Sequence, residues 1–300
     1  MRKAVIDIGT NTFHLLIADV IGNEFSVLKK ITIPVKLGEG GISKGEIIPA
    51  AFERGINALI TFSTEINAHK TETVIATATA AVRDASNGTA FIEEAYEKSQ
   101  IKITIIDGQQ EALYIYEGAK AAGALTDNVS LVMDIGGGST EFILCNQHEI
   151  FWKESYRIGA ARLLADFYKS DPLNSHDLTL LENHLNNTLQ ALLSACNKYN
   201  PLVLVGTAGA YDSYAEMIAL QNKKSNNAIV TPFNKNEFDL LIQSLIKSTH
   251  QERVNMRGLI PLRTDMILMS SIISSYILSK SSIEKIIACK YALKEGVLLS

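Results

Sequence analysis

Short apolar runs broken by polar, glycine-bearing turns open this 300-residue chain, and the same arrangement returns in its second half. Ala4-Val5-Ile6 and Phe13 to Ile17 bracket Asp7-Ile8-Gly9-Thr10-Asn11-Thr12. Leu131-Val132-Met133 and Phe142-Ile143-Leu144 bracket Asp134-Ile135-Gly136-Gly137-Gly138-Ser139-Thr140-Glu141. Apolar β-formers on either side of a polar cluster predict strand, tight turn, strand. Asp7 aligns with Asp134, Gly9 with Gly136 and Thr12 with Ser139, at a constant offset of 127 residues. A repeat at that spacing predicts two similar domains whose turns face each other across a cleft.

The pattern between the repeats alternates strand and helix. Glu24 to Lys36 continues as strand and leads into the glycine-rich loop Lys36-Leu37-Gly38-Glu39-Gly40-Gly41. Pro49 to Ala68 carries Phe52, Ile56, Leu59 and Ile60 at helical spacing. Thr73 to Ala80 reads as strand and breaks into a loop over Ala81 to Gly88. Phe91 to Ser99 is expected to be helix, Ile101 to Ile106 strand and Gln109 to Ala122 helix. The second half predicts helices at Gly159–Tyr168 and Ser175–Tyr199. A buried strand at Leu202–Val205 then runs into Gly206-Thr207-Ala208-Gly209. A polar surface loop at Gln221–Asn227, two helices, a strand at Glu284–Cys289 and a helix at Tyr291–Leu299 close the chain. The fold class is therefore α/β, with ribonuclease-H-like domains at 1–122 and 123–300 and a last helix, 291–300, packing on the first.

Composition narrows the setting. Apolar residues make up 47% and charged residues 20%, enough to bury a core in two domains of ordinary size. A net charge of −4 gives no long-range pull on a polyanion, so phosphate affinity has to be local. No basic patch interleaved with aromatics is present, so nucleic acid is not an expected partner. Cys145, Cys196 and Cys289 are odd in number and far apart, which suits reduced thiols in a cytoplasmic protein. Met1-Arg2-Lys3 leads straight into a strand with no secretory pattern, and the apolar stretch Met266–Leu278 is too short to span a bilayer and reads as a buried helix. A soluble protein without membrane contact is expected, with a homodimer kept open.

The turns carry the chemistry. Glycines let backbone N–H groups approach an anion with no Cβ in the way, and such N–H groups in series form an anion nest to which hydroxyls add donors. Thr10, Asn11 and Thr12, and Gly136, Gly137, Gly138, Ser139 and Thr140, are thus candidate phosphate ligands. An aspartate at the strand end would repel phosphate directly but suits a hydrated Mg2+, which binds a few carboxylates and substrate phosphates. Asp7 and Asp134 are the candidates, and Glu141 would complete the shell or orient a water. The six histidines are scattered with no metal-ligand spacing. Neither a Gly-X-Ser-X-Gly elbow nor a Gly-X-X-X-X-Gly-Lys loop occurs, which disfavours a serine hydrolase and a Walker-type NTPase.

These motifs together resemble the exopolyphosphatase and guanosine pentaphosphate phosphohydrolase family, within the superfamily of actin, sugar kinases and heat-shock-70 proteins. The resemblance runs nearly end to end. Its most specific pieces are Asp7 to Thr12 and Asp134 to Glu141. Supporting pieces are Leu37-Gly38-Glu39-Gly40, Arg83-Asp84-Ala85-Ser86-Asn87, Gly108-Gln109-Gln110-Glu111-Ala112, Gly206-Thr207-Ala208 and Arg263-Thr264-Asp265. It implies release of terminal phosphate from polyphosphate or a phosphorylated guanosine nucleotide, with Mg2+ as cofactor. Glu111 matches the family's catalytic glutamate, the base for the attacking water. On the residues alone it reads first as a solvent-facing first-turn glutamate favoured by the helix dipole, and it is the family match that favours the catalytic role. Arg83 matches the phosphate-contacting arginine, against the plainer reading of a surface arginine capping a helix. Gly206 and Thr207 join the phosphate ligands.

Two departures stand out: Lys36 replaces a frequent arginine, and Lys294-Glu295-Gly296 replaces Arg-Glu-Gly. Both keep the charge and lose the bidentate fork. Longer members continue into a helical C-terminal domain of HD type, so distributive digestion is the expectation for this chain. Two rivals remain: an ATP-dependent kinase of the same superfamily and a non-catalytic guanosine-pentaphosphate binding protein.

Overall fold

The computed structural model describes residues 1–300. The chain divides into two units, Met1–Gly118 with Leu293–Ser300, and Ala119–Ala292. The division falls at Gly118, near the expected 122.

In the first unit, β1 (Arg2–Ile8), β2 (Phe13–Ile21) and β3 (Glu24–Ile33) form an antiparallel meander. α1 (Pro49–Ala68) leads to β4 (Thr73–Ala78), α2 (Ala80–Arg83) and α3 (Gly88–Ser99) to β5 (Ile103–Ile105), and α4 (Gly108–Ala121) follows. The sheet order is β3-β2-β1-β4-β5, with β1, β4 and β5 parallel. β1 is central, and Ala4, Val5 and Ile6 are fully buried. That is why this stretch reads as continuous apolar sequence while the edge strand β3 alternates. Ile6, Ile8, Phe13, Leu59, Phe62 and Phe91 are among the residues that fill the core between sheet and helices.

The second unit repeats the order. β6 (Ser130–Ile135), β7 (Thr140–Cys145) and β8 (Ile150–Tyr156) form the meander, followed by α5 (Ala160–Phe167), α6 (Ser175–Thr188) and α7 (Gln190–Tyr199). Then come β9 (Val203–Thr207), α8 (Ala208–Gln221), β10 (Val230–Phe233), α9 (Lys235–Lys247), α10 (His250–Val254), α11 (Met266–Ser279) and β11 (Lys285–Cys289). The sheet runs β10-β11-β9-β6-β7-β8, the first unit's order with one added edge strand. Both sheets have the ribonuclease-H-like topology: a three-stranded meander whose first strand continues into a parallel half. The last helix, α12 (Leu293–Leu299), belongs to the first unit, where Gly296 lies so close to α4 that a Cβ there would meet the Tyr114 carbonyl oxygen.

Three local expectations change. The loop expected over Ala81–Gly88 begins as the short helix α2, with Arg83 in its last turn. The long helix expected over Ser175–Tyr199 breaks at Leu189, just after Asn186-Asn187-Thr188, residues of modest helix propensity. β10 was not expected because it is short and contains Pro232. Proline is tolerated at a sheet edge, and β10 pairs only with β11. α11 is buried almost all round, as its composition requires, and Ser271 and Ser274 meet the hydroxyls of Tyr214 and Tyr211. No helix is long and apolar enough to cross a membrane.

Candidate active site

Both glycine turns are closed by the same hydrogen bond. Gly9 N–H donates to Thr12 O at 3.1 Å, and Gly136 N–H donates to Ser139 O at 3.0 Å. A Cβ on either glycine would press on that same carbonyl, at 2.9 and 3.0 Å. The offset of 127 residues is thus a repeat of geometry as well as of letters.

Each turn is braced from one side. In the first unit, Thr10 O accepts from Gly38 N–H at 3.0 Å and Asn11 O from Lys36 N–H at 2.8 Å. The glycine-rich loop therefore holds the turn's carbonyls. In the second unit, the start of α5 does the same: Gly136 O accepts from Ala160 N–H, Gly137 O from Ala161 and Arg162 N–H, and Gly138 O from Gly159 N–H. These peptides are trans, so each N–H points opposite to the carbonyl before it. The amides of Asn11 and Thr12, and of Gly137, Gly138 and Ser139, consequently face away from the braces. That is the disposition an anion nest requires. Arg162, a residue the sequence reading did not single out, is buried beside the second turn with its Nε donating to Gly138 O at 3.2 Å.

Behind the turns, strand pairing lines up side chains in a row. In the second sheet Thr207, Asp134, Glu141 and Ser155 are successive register partners across β9, β6, β7 and β8. Thr207 Oγ1 donates to Asp134 Oδ2 at 2.6 Å, and Ser155 Oγ donates to Glu141 Oε1 at 2.6 Å. Both carboxylates are buried. Like charges directly opposite on neighbouring strands repel. The corresponding row of the first sheet is Thr77, Asp7, His14 and Thr32. There the residue opposite the aspartate is an imidazole. His14 Nε2 lies 2.9 Å from Thr12 Oγ1, and Nδ1 lies 2.9 Å from Thr32 Oγ1.

Glu111 occupies the first turn of α4 and is only 7% exposed, so it does not face solvent. Arg83 Nη1 lies 3.0 Å from Glu111 Oε2 and also donates to Ile106 O at 3.1 Å. The guanidinium is held further by Asp84, 3.6 Å from Nε, while Nη2 stands outside these bonds. The two residues expected to act on phosphate are therefore partners before any substrate arrives. α2 is what turns Arg83 toward α4.

A family model for Ppx/GppA phosphatases matches residues 16–300. The chain belongs to the Ppx/GppA phosphatase family. Among solved structures it is similar to an exopolyphosphatase from Cytophaga hutchinsonii, at 37% identity and a TM-score of 0.96, covering 99% of this chain and 96% of that one. Exopolyphosphatase 1 of Mycobacterium tuberculosis is 24% identical over 301 residues, covering 100% of this chain and 88% of the relative. A guanosine-5'-triphosphate,3'-diphosphate pyrophosphatase of Vibrio parahaemolyticus is 27% identical over 257 residues, 85% of this chain and 50% of the relative. Enzymes with these names are phosphoanhydride hydrolases.

Within the Ppx/GppA framework the sequence-predicted residues fall into separate groups. In the first unit Thr10, Asn11 and Thr12 form the turn beneath which Asp7 pairs with His14, and Arg83 joins Glu111. In the second unit Gly136 to Thr140 form the turn, and Asp134, Glu141 and Thr207 share one row. Gly206 lies next to Thr207, and a Cβ there would strike the Tyr211 ring at 2.1 Å, so close packing of α8 on β9 already requires glycine. Arg263 braces the start of α8, donating to Gly209 O and, at 3.1 Å, to Ser213 Oγ. Burial draws its guanidinium below the usual arginine range, with Asp212 opposing the shift. His14 and Arg162 are the residues that sequence reading missed. Carrying the 127-residue offset past the turn, from His14 to Glu141, would have flagged the first.

Proposed function

We propose that this chain hydrolyses the terminal phosphoanhydride of inorganic polyphosphate, guanosine pentaphosphate or both, with Glu111 as the base for the attacking water. The observation that carries this reading is Glu111 itself, a buried carboxylate on the first turn of α4 with its orientation fixed by Arg83 at 3.0 Å. Phosphoryl transfer needs little covalent help from the protein; it needs a positioned nucleophile and neutralised charge. A carboxylate in a fixed rotamer accepts the proton of a water as the bond to phosphorus forms. Arg83 holds that carboxylate through Nη1 and offers Nη2 to a phosphate oxygen, so one planar guanidinium sets base and phosphate relative to each other. The amides facing away from the two braces bind further phosphate oxygens, and Thr10, Thr12 and Ser139 supply hydroxyls; the hydroxyl of Thr140, expected to join them, is buried and donates to Ile158 O at 3.2 Å instead.

The acidic residues present fit Mg2+. No group of three or more His, Cys, Asp or Glu side chains forms a ready-made metal cage. Mg2+ is commonly bound through one or two carboxylates plus substrate phosphates, and Asp134 with Glu141 supplies such a pair, oriented by Thr207 and Ser155. Asp7 holds the corresponding place in the first unit. When bound, the ion would supply neutralisation of phosphate charge.

The test is phosphate release from short polyphosphate, long polyphosphate and guanosine pentaphosphate, each with and without Mg2+. Net release without any acceptor supports the hydrolase. Transfer of phosphate from ATP to an acceptor, or binding of guanosine pentaphosphate with no release, would replace this reading with one of the two rivals.

A further inference from the structure

We propose that His14 is a positioning residue for the first phosphate turn, one that sets the direction in which the Thr12 hydroxyl donates. This rests on reading that turn as a phosphate site. The geometry is a three-member relay: Thr32 Oγ1, the two ring nitrogens of His14, and Thr12 Oγ1, with 2.9 Å at both links. All three members are fixed by the sheet. His14 and Thr32 are register partners across β2 and β3, and Thr12 stands two residues before His14 at the mouth of β2.

The direction of the relay follows from what a phosphate needs. A phosphate oxygen is an acceptor, so the Thr12 hydroxyl serves it only by donating its single proton outward. That requires Thr12 Oγ1 to accept from behind, and so Nε2 must carry the ring proton. In the neutral imidazole Nδ1 is then the acceptor, and the Thr32 hydroxyl is placed to donate to it. Thr32, whose hydroxyl can donate or accept, accommodates this tautomer, His14 donates to Thr12 and Thr12 presents its proton to the anion. With the opposite tautomer, the Thr12 proton would be spent on the ring and lone pairs would be turned toward the phosphate.

The second unit shows why the residue type matters. Glu141 occupies the place of His14 at the same 127-residue offset and has its own hydroxyl partner, Ser155. A carboxylate only accepts. At position 14 it would pull the Thr12 proton inward and add a second negative charge opposite Asp7. Of the two places where the rows differ, Thr32 keeps the hydroxyl of Ser155, so His14 is the change that leaves the first turn suited to bind phosphate directly.

The test uses steady-state phosphate release from short polyphosphate at saturating Mg2+, with KM and kcat determined separately and thermal denaturation of each variant as the check on folding. Thr12→Val should raise KM roughly tenfold, the scale of a hydrogen bond to a charged group. His14→Ala should raise KM by a similar factor with kcat nearly unchanged. The double variant should be no worse than Thr12→Val alone, because both remove the same contact. His14→Gln, whose amide nitrogen can donate, should recover most of the loss, and His14→Glu should be at least as impaired as His14→Ala. An unchanged KM in His14→Ala beside a raised one in Thr12→Val would overturn the role of His14 and leave the phosphate reading of the turn standing. Multiplying effects in the double variant would also overturn it. An unchanged KM in Thr12→Val would remove both. A loss in kcat and melting temperature that His14→Gln fails to rescue would mark His14 as structural only.

Discussion

Gly159 is the position where one added methyl group should cost activity more than stability. It precedes α5, and a Cβ there would lie 2.4 Å from the Gly137 carbonyl carbon and oxygen and 2.5 Å from the Gly138 carbonyl carbon. Non-bonded heavy atoms settle at about 3.5–4.0 Å, so the turn must withdraw by roughly 1 Å or more. The obstacle is backbone, so no side-chain rotation relieves it. The withdrawal would strain the bonds from Ala160, Ala161 and Arg162 that hold the carbonyls of Gly136 and Gly137, and with them the outward set of the amides. Displacing a positioned group by ~1 Å costs on the order of 10²-fold in rate. Overpacking of this kind also costs about 1–3 kcal/mol of stability. Gly159→Ala should thus keep a cooperative thermal transition while kcat/KM for phosphate release falls about 10²-fold. Gly206→Ala is the control: its Cβ meets the Tyr211 ring at 2.1 Å, inside the core beside Phe238. That variant should lose mainly melting temperature. Wild-type kcat/KM in a folded Gly159→Ala protein would refute the claim that the bracing of the second turn sets its chemistry.

Glu111→Gln should fold normally, still bind substrate and lose a factor of roughly 10² to 10⁴ in kcat, the usual worth of a positioned base; single-turnover phosphate release reads it, and near-wild-type turnover would assign the water to another residue. Asp134→Asn should raise the Mg2+ concentration needed for half-maximal activity, since a weakly held ion loses one of few carboxylates; a Mg2+ titration with an unchanged midpoint would remove Asp134 from the metal site. Burial pushes the Cys145 thiol up to about 12 and the Cys196 thiol up to about 11. At pH 8 the thiolate fraction of Cys145 is then about 10⁻⁴, so alkylation should be slow in the native protein and rapid once denatured. Because these folded-state values are raised, the stability they contribute is full below the unfolded thiol value near 9 and is lost as pH climbs toward 11–12.

Apart from the edge strand β10, the two sheets and both turns were legible in the sequence because they rest on local signals: apolar runs, glycines and a fixed offset. α1 and α11 were read nearly residue for residue, since helical spacing or unbroken apolar character marks them. What the sequence hid depends on partners distant in the chain. That Thr207 serves Asp134, 73 residues earlier, is a consequence of β9 lying beside β6. Arg83 reaching Glu111 depends on α2, whose first residue read as strand and whose other three read as loop. Arg162 looks like any arginine on an amphipathic helix until α5 is placed under the second turn. His14 was passed over because metal-ligand spacing was the pattern sought, whereas its partners are hydroxyls two and eighteen residues away.

The two rows also show where one repeated pattern differs between the units. Each begins with a threonine on the parallel strand, continues through the aspartate at the end of the central strand and ends with a hydroxyl on the third strand of the meander. Thr77 sends its hydroxyl to the backbone of Ile6, whereas Thr207 sends it to Asp134. Between them the decisive place holds His14 in one sheet and Glu141 in the other. Under the proposed function the two adjacent carboxylates favour Mg2+ behind the second turn, and the hydroxyls of Thr207 and Ser155 orient them without neutralising them. In the first sheet one carboxylate faces an imidazole, which under the proposed function adds a donor behind the turn. On that reading the cross-strand residue divides the work, because the turns themselves, Gly9 to Thr12 and Gly136 to Ser139, close with the same hydrogen bond in both units.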